Sequence, residues 1–573
     1  MSERWRLRPR NPEAEAVLRR ELELHPLLAQ LLVQRGHCTP EQAHAFLNPR
    51  LRDGLRSPFL FRGMRCAADR IVQALARGER IAIYGDYDLD GVSGSALLYA
   101  FLRSLGTEPI VYIPDRMREG YGLHQPAIAS LAQSGTGLLI TVDCGAASHS
   151  QIRFATQLGL DSIVCDHHQV PAEPLPALAA LNPAAPDSGF PFPGLCGAGT
   201  AFYLAWAVRS RLAEKGVTSL PDLRELLDLV TLGTIADVVP LEAENRVLVR
   251  HGLAALTEGR RLGIAALKNI SRVTNVTSSA VAFRLAPRLN AIGRLGSAQA
   301  ALELLVTDIP ERAQQLATDL QDANRQRQAL EGAILKDALA LCRNDPNWEN
   351  RRAIVLASSE WHPGVIGIVA ARLVEKFGRP TVLIANDENS GVGRGSVRST
   401  SGVNCYRALA DCAPLLTAFG GHHMAAGFSI AVEHLEAFAQ AFDEAVAKQT
   451  RAPQPTVHWA DAVLELDQID PADLASCLVA LEPFGPGNPE PVFFARGVRL
   501  RAAQTFGGQH LRLFAEQRGK AWPAMWFQWG DEFPPDPNSS YDVLFSIEAH
   551  SSNGEAPLRL RLLRLRPSRS AER

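Results

Sequence analysis

The stretch Ile81-Ala82-Ile83-Tyr84-Gly85-Asp86-Tyr87-Asp88-Leu89-Asp90-Gly91-Val92-Ser93-Gly94 constrains this chain more than any other. A short apolar run ends in three aspartates at alternate positions, and a glycine and a small polar residue then open an apolar segment, residues 95–101, that reads as a helix. A strand, a turn and a helix follow one another, with carboxylates at the carboxyl end of the strand, where open α/β sheets place their ligands. If the aspartates stay extended, period-two geometry points all three to one side. Three like charges so close repel strongly unless a cation neutralises them, and clustered carboxylate oxygens suit Mg²⁺ or Mn²⁺. An acidic surface turn has no need of three carboxylates on one side after a buried strand.

The pattern recurs. Apolar positions Ile71, Leu75 and Ile81 lead through a helix into the first strand, and further strands are expected at 110–113, 138–142 and 162–165. Alternation with helices predicts a doubly wound α/β domain whose parallel strands are buried on both faces. Residues 138–142 run into Asp143-Cys144-Gly145, and residues 162–165 run into Asp166-His167-His168. Strand ends in one sheet would therefore converge acidic and imidazole groups. Asp237 follows a helix-like run, residues 226–235, and precedes Val238-Val239-Pro240; alone it would equally read as a helix cap.

Composition narrows the class. The chain has 573 residues, 46% hydrophobic and 21% charged, which predicts several soluble domains with their own cores. A formal net charge of -2 leaves any polyanion to be gripped by local basic patches. Nine cysteines without a CxxC pair read as reduced thiols, not a disulfide framework or a zinc site. The charged start Met1-Ser2-Glu3-Arg4-Trp5-Arg6 leads into no signal-peptide core, and the expected location is the cytoplasm.

Taken in order, Gly85-Asp86-Tyr87-Asp88-Leu89-Asp90-Gly91, Val142-Asp143-Cys144-Gly145, Asp166-His167-His168 and Gly233-Thr234-Ile235-Ala236-Asp237-Val238-Val239-Pro240 resemble the DHH phosphoesterase superfamily. The closest likeness is to its bacterial branch of single-strand-specific 5′→3′ exonucleases. It extends to Ile113-Pro114-Asp115-Arg116 with Glu119-Gly120-Tyr121-Gly122, to Leu195-Cys196-Gly197-Ala198-Gly199, and to Ala286-Pro287-Arg288-Leu289-Asn290-Ala291-Ile292-Gly293-Arg294. The resemblance implies a centre of two Mn²⁺ or Mg²⁺ ions held by Asp86, Asp88, Asp90, Asp143, His167 and Asp237. It implies His168, beside the scissile phosphate, and Asp166 as catalytic residues, with Arg116, Tyr121, Arg288 and Arg294 facing the substrate. The physical reading agrees, since two divalent ions roughly 3.5–4 Å apart can polarise a phosphate and stabilise a leaving oxygen.

Residues 310–342 read as a long helix with an apolar stripe, Leu316, Leu320, Leu330, Ile334 and Leu341, that either connects two lobes or serves as an oligomerisation seam. A second α/β lobe follows. It carries Trp361-His362-Pro363-Gly364, Gly393-Arg394-Gly395-Ser396-Val397-Arg398 and Gly420-Gly421-His422-His423, and it resembles the DHHA1 domain that accompanies DHH. Glycines beside Arg, Ser and His let amides and guanidinium groups meet an anion, so Arg394, Ser396, Arg398 and His422 join the expected substrate contacts. The expected fold is two doubly wound α/β lobes joined by a long helix, plus a C-terminal all-β barrel of the oligonucleotide-binding (OB) type. Expected boundaries are 1–50 (helical), 51–305 (DHH), 306–348 (connecting helix), 349–450 (DHHA1), 451–567 (OB) and 568–573 (disordered tail), with 452–455 as a linker.

In the last domain residues 558–566 alternate apolar and basic with an irregularity at Leu562-Leu563, a strand with a bulge whose arginines can track a phosphate backbone. Phe506, Phe514, Trp526 and Trp529 are candidate base-stacking residues. The resemblance implies degradation of single-stranded DNA from its 5′ end to mononucleotides, in repair, recombination and mismatch repair, with a single-strand-binding protein and a helicase as partners. Arg116, Ser396 and Arg398 would together read the 5′ phosphate. Two rivals stand beside it: a DHH phosphodiesterase of oligoribonucleotides or cyclic dinucleotides, and a non-catalytic DNA-binding replication scaffold. The C-terminal barrel argues against the first and the intact acidic motifs against the second.

Overall fold

The computed structural model describes residues 4–348, 350–387, 390–449, 457–506, 510–527, 529, 535–549 and 558–568; the expected linker at 452–455 and the tail from 569 lie outside them. The chain forms two compact units, residues 58–237 with 255–454, and residues 1–57 with 238–254 and 455–573. It opens with β1 (Arg4–Leu7) and the helices Pro12–Leu22, Pro26–Gln34 and Pro40–Leu47. Thr39 and Gln42 form the reciprocal capping box that starts the third helix.

The larger unit begins with five strands, β2 (Arg80–Gly85), β3 (Ile110–Tyr112), β4 (Thr136–Val142), β5 (Asp161–Cys165) and β6 (Ala179–Leu181). All pair in parallel in the order β3-β2-β4-β5-β6. Ala82, Tyr84, Leu139 and Val164 face one layer, with Ile128 and Ile152 of the helices that cover it. Their neighbours Ile81, Ile83, Leu138 and Ile140 are equally buried, so both faces are covered as the unbroken apolar runs demand. Strand order reverses at β2, and the crevice between the ends of β2 and β4 is the switch point of a doubly wound sheet.

Helix Pro310–Asn344, about 52 Å long at 1.5 Å per residue, buries Leu316, Ala317 and Leu320 in its first half and Ile334, Ala338 and Cys342 in its second. Ile334 and Ala338 pack with Val369 and Leu373 of helix Ile366–Phe377. Its stripe is thus used within the chain, which favours the connecting role over the oligomerisation seam. The second sheet comprises β7 (Ile354–Ser358), β8 (Thr381–Asp387), β9 (Val392–Arg398), β10 (Leu416–Gly421) and β11 (Ala425–Ala431), in the order β10-β11-β9-β8-β7. This lobe is α/β, as expected, with one refinement. Only β7 and β8 are parallel, because the short β8–β9 and β10–β11 connections leave no room for crossover helices and make the rest antiparallel.

The smaller unit holds β12 (Val457–Ala460), paired in parallel with β1, and β13 (Ala462–Val463). Strands β14 (Phe493–Phe506), β15 (His510–Gln517), β16 (Lys520–Trp526), β17 (Ser540–Ala549) and β18 (Leu558–Pro567) follow. The order β14-β15-β16-β18-β17 closes through a β14–β17 pairing into a five-stranded barrel. Its core, including Phe493, Phe545, Leu513 and Leu560, is continuous with Leu18, Leu28, Leu31 and Leu32 of the N-terminal helices.

Leu544 pairs with Arg564 and Phe545 with Leu562, so Leu563 is the extra residue of the expected bulge. The arginine row differs from expectation. Arg559 pairs with Glu548 at 2.7 Å and Arg566 with Asp542 at 3.3 Å, because β17 supplies carboxylates opposite β18. Trp526 and Trp529 pack against the barrel core, which corrects their reading as stacking platforms, whereas Phe514 is 48% exposed on the outer face of β15.

Candidate metal centre and active site

Three of the site's acids stand one rung beyond three adjacent strands. Asp86 N–H donates to Val142 O at 3.1 Å, Asp143 N–H to Cys165 O at 2.9 Å, and Asp166 N–H to Leu181 O at 3.1 Å, so parallel pairing itself sets their spacing. Asp143 then turns sharply, at φ 61°, a conformation disfavoured for a residue with a Cβ and held here by its surroundings.

The aspartate triplet is not extended throughout, and period two does not align it. Asp88 is the N-cap of helix Leu89–Ser104, accepting from Asp90 N–H at 2.9 Å and Gly91 N–H at 3.3 Å, and Asp90 lies inside that helix. The turn separates the three carboxylates into two groups. Asp86, Asp88 and Asp143 form one, Asp90, His167 and Asp237 a second, and Asp143, His167 and His168 a third; within each, one potential ligand atom per residue lies within 4.8 Å of the others. Asp143 and His167 each belong to two groups and so link all three, an arrangement that fits two neighbouring cations.

Asp90 is fixed from a direction the sequence reading passed over. Its carboxylate accepts Gly197 N–H at 2.6 Å and Ala198 N–H at 2.9 Å, at the start of helix Gly197–Glu214, where the backbone dipole favours a negative charge. A Cβ on Gly197 would lie 2.6 Å from Asp143 Cβ, so the glycine is needed for close approach. Asn290 is a second omission: its Oδ1 accepts Leu89 N–H at 2.8 Å and ties helix Ala286–Leu295 to the acidic turn. The Leu195–Gly199 and Ala286–Arg294 motifs were visible in the sequence, but the partners of their polar groups were not.

Electrostatics shows which ligands this cluster suits. Burial, followed by repulsion from Asp90, Asp88, Asp86 and Asp237, holds Asp143 well above the usual carboxylate range. Burial and then Asp88 do the same to Asp86, whose Oδ1 is buried without a hydrogen-bond partner. Asp237 is pushed up to about 8 by burial, then by Asp90 and Asp88. Mutually repelling, desolvated carboxylates with an orphaned oxygen fit divalent cations with a preference for oxygen ligands. Buried Cys144 and Cys196 sit close by as thiols whose pKa burial raises, and neither belongs to a candidate group.

Asp166 has another task. One oxygen accepts from Ala146 N–H at 2.8 Å; the other accepts His167 N–H at 2.7 Å and lies 2.7 Å from His168 Nδ1. Burial opposes the charged imidazolium, but the Asp166 hydrogen bond and charge outweigh it and bring His168 up to about 9. Tyr121 Oη lies 3.0 Å from the same Nδ1, and His422 stacks on the His168 ring with centroids 5.8 Å apart.

The remaining expected contacts divide. Arg116 lies over the Tyr87 ring at 5.0 Å. Arg398 Nη1 donates to Ser396 Oγ at 3.0 Å, and both groups stand over Gly367, where a Cβ would come within 2.9 Å of either. Arg398 makes no carboxylate ion pair among the described residues; burial and then the neighbouring Arg116 charge lower its pKa. Arg294 joins them: burial first, then Arg116 and Arg398, bring it down to about 10. Three guanidinium groups thus lie close enough to repel one another beside the acidic cluster, an arrangement that suits an anion. Arg394 donates to Met117 O at 2.9 Å, further along β9. Arg288 is not one of the three; it bonds Gln321 Oε1 at 2.6 Å on the long connecting helix.

Three family profiles match the chain: the N-terminal domain of the DHH family over residues 80–234, the DHHA1 domain over 350–448 and the RecJ OB domain over 460–563. The single-stranded-DNA-specific exonuclease RecJ of Dickeya dadantii is 38% identical over 528 residues, covering 89% of this chain and 90% of that protein. RecJ of Bacillus subtilis is also 38% identical over 88% of this chain, which spans 63% of that longer protein. The crystal structure of Thermus thermophilus RecJ in complex with Mn²⁺ superposes with a TM-score of 0.83 at 33% identity, over 99% of this chain and 80% of that one.

Proposed function

Because the chain belongs to the RecJ family of single-stranded-DNA-specific exonucleases, we propose that it hydrolyses single-stranded DNA from the 5′ end to 5′-mononucleotides with Mn²⁺ or Mg²⁺. The observation that carries this reading is the adjacency of three metal-ready groups, linked to one another through Asp143 and His167, to the cluster of Arg116, Arg294, Ser396 and Arg398. Asp86, Asp88, Asp90, Asp143, His167 and Asp237 would hold two ions. Bound there, such ions neutralise charge on the phosphodiester and activate the attacking water. The chain's own groups do the rest.

Asp166 holds His168 through Nδ1, leaving Nε2 to present a proton to the scissile phosphate and its leaving 3′ oxygen. Tyr121 braces the same ring. Arg116, Ser396 and Arg398 grip a terminal phosphate, which carries about one more negative charge than an internal one. With the end anchored, the next linkage faces the acids, and polarity follows. On the barrel, exposed Phe514 would stack on a base of bound single-stranded DNA.

Among the described residues no helix is long and apolar enough to cross a membrane. Work in the cytoplasm in repair and recombination, beside a single-strand-binding protein and a helicase, belongs to the same proposal. The experiment is incubation with Mn²⁺ or Mg²⁺ and end-labelled single-stranded or duplex DNA. Mononucleotides released from the 5′ end of the single strand alone are expected; release from the 3′ end, or equal attack on duplex, would overturn the reading.

A further inference from the structure

Alternate residues of a strand share a side, so Val392, Arg394, Ser396 and Arg398 line one face of β9. Arg398 is the end nearest the acids: it pairs with Ala425, whose carbonyl accepts His422 N–H at 2.7 Å, and His422 stacks on His168. Arg394 lies about 13 Å further along at roughly 3.3 Å per residue. Its hydrogen bond to Met117 O joins β9 to the loop that carries Arg116. Beyond that bond opens a cleft of about 840 Å³, lined by Met117, Pro363, Asn386, Val392 and Arg394 among others.

We infer that this cleft receives the released nucleoside 5′-monophosphate and conducts it out, an inference that rests on the exonuclease reading above. After each cut the uncut strand still occupies the side of the acids, while the product's phosphate stays on Arg116, Ser396 and Arg398. The product leaves by the opposite end, and that end is the Arg394–Met117 contact. The volume lies within the range of about 300–1,000 Å³ of small-molecule sites, and the lining mixes apolar Met117, Pro363 and Val392 with polar Ser359, Ser390 and Asn386, the acids Glu360 and Asp387, and Arg394. Met117, Pro363 and Val392 offer apolar surface to a base or sugar. Asn386 also lines the cleft, with its Oδ1 buried and without a hydrogen-bond partner. Arg394 exchanges a neutral carbonyl for the departing phosphate, a charge-assisted and therefore stronger bond.

The test fills the cleft without touching the acids or the phosphate pocket. Val392→Trp is assayed on 5′-phosphorylated oligothymidylate with Mn²⁺, comparing the first turnover with the steady state and titrating added thymidine monophosphate. A first nucleotide formed at the wild-type rate, a steady state slowed roughly tenfold or more, and weakened product inhibition are expected. Ser390→Trp, at the same rim, serves if the first variant fails to fold. Equal slowing of the first turnover would mean the cleft holds substrate, and an unchanged steady state with intact inhibition would mean it holds nothing; either overturns the inference. Wild-type protein that cleaves no DNA would instead sink the underlying reading.

Discussion

Asp166 Oδ1 lies 2.7 Å from His168 Nδ1, and the same oxygen accepts the two backbone N–H groups that lead into that ring. The carboxylate therefore sets the position of the imidazole and which of its nitrogens carries the proton that faces outward. Asp166→Asn is expected to lower turnover roughly 10²-fold while Mn²⁺ binding persists. Loss of metal binding in that variant, followed by calorimetry, would place Asp166 among the ligands instead.

Asp88→Ala or Asp143→Ala is expected to abolish cleavage and leave a folded protein that still binds single-stranded DNA. Asp143 has the further property that its removal relieves charge from both groups it joins. Circular dichroism, filter binding and initial rates at saturating Mn²⁺ check this; near-normal turnover in either variant would refute the metal assignment.

The raised carboxylates fix a sign for pH dependence. Folded Asp237, near 8, keeps a proton that the unfolded chain gives up near pH 4, so its contribution to stability is fully present at low pH and lost as pH rises towards 8. Divalent cations displace those protons. The gain in Tm from Mn²⁺ is expected to grow from about pH 6 to about pH 8.5, with proton release on binding. A gain independent of pH in thermal melts would contradict the charge arrangement.

Arg398→Ala or Arg116→Ala is expected to slow cleavage of 5′-phosphorylated strands roughly ten- to a hundredfold more than that of 5′-hydroxyl strands, the worth of one charge-assisted hydrogen bond. Side-by-side rates on the two substrates decide it. An equal loss on both would mean that these arginines do not read the terminal phosphate.

Phe514 lies directly opposite Arg501 on the outer face of the barrel. Phe514→Ala is expected to weaken single-strand binding by about 1–3 kcal/mol, whereas Arg559→Ala, whose guanidinium is held by Glu548, changes it little. Fluorescence anisotropy with labelled oligonucleotides measures both, and the reverse ranking would restore the β18 arginines as the contact.

Much of the catalytic lobe was legible because its chemistry is local to strand ends. Asp86, Asp143 and Asp166 each follow an apolar run, and parallel pairing converts that into convergence. What escaped was long-range. The amides that hold Asp90 come from Gly197 and Ala198, more than a hundred positions away, and the carboxylates that occupy Arg559 and Arg566 come from β17. The Asp86–Asp90 spacing misled for a different reason: Asp88 caps a helix, so the period changes from two to 3.6 within the motif. Helix Pro26–Gln34 lies within the segment expected to be helical, but its start and end were not legible because its apolar residues do not keep to one face; Leu28, Ala29, Leu31, Leu32 and Val33 are all buried.

The shared core of the N-terminal helices and the barrel has a consequence for synthesis. Leu18, Leu28 and Leu31 leave the ribosome early, but their partners Phe493, Leu513 and Leu560 follow more than four hundred residues later. At about 5–20 residues per second, the first helices wait roughly 20 seconds to more than a minute for the surface that buries them. The α/β lobes can complete their own sheets in that interval, so helices that precede those lobes in the chain are packed after them. A nascent chain arrested before β14 therefore leaves Leu18, Leu28 and Leu31 without the barrel surface that buries them, a target for chaperones that the finished protein no longer presents.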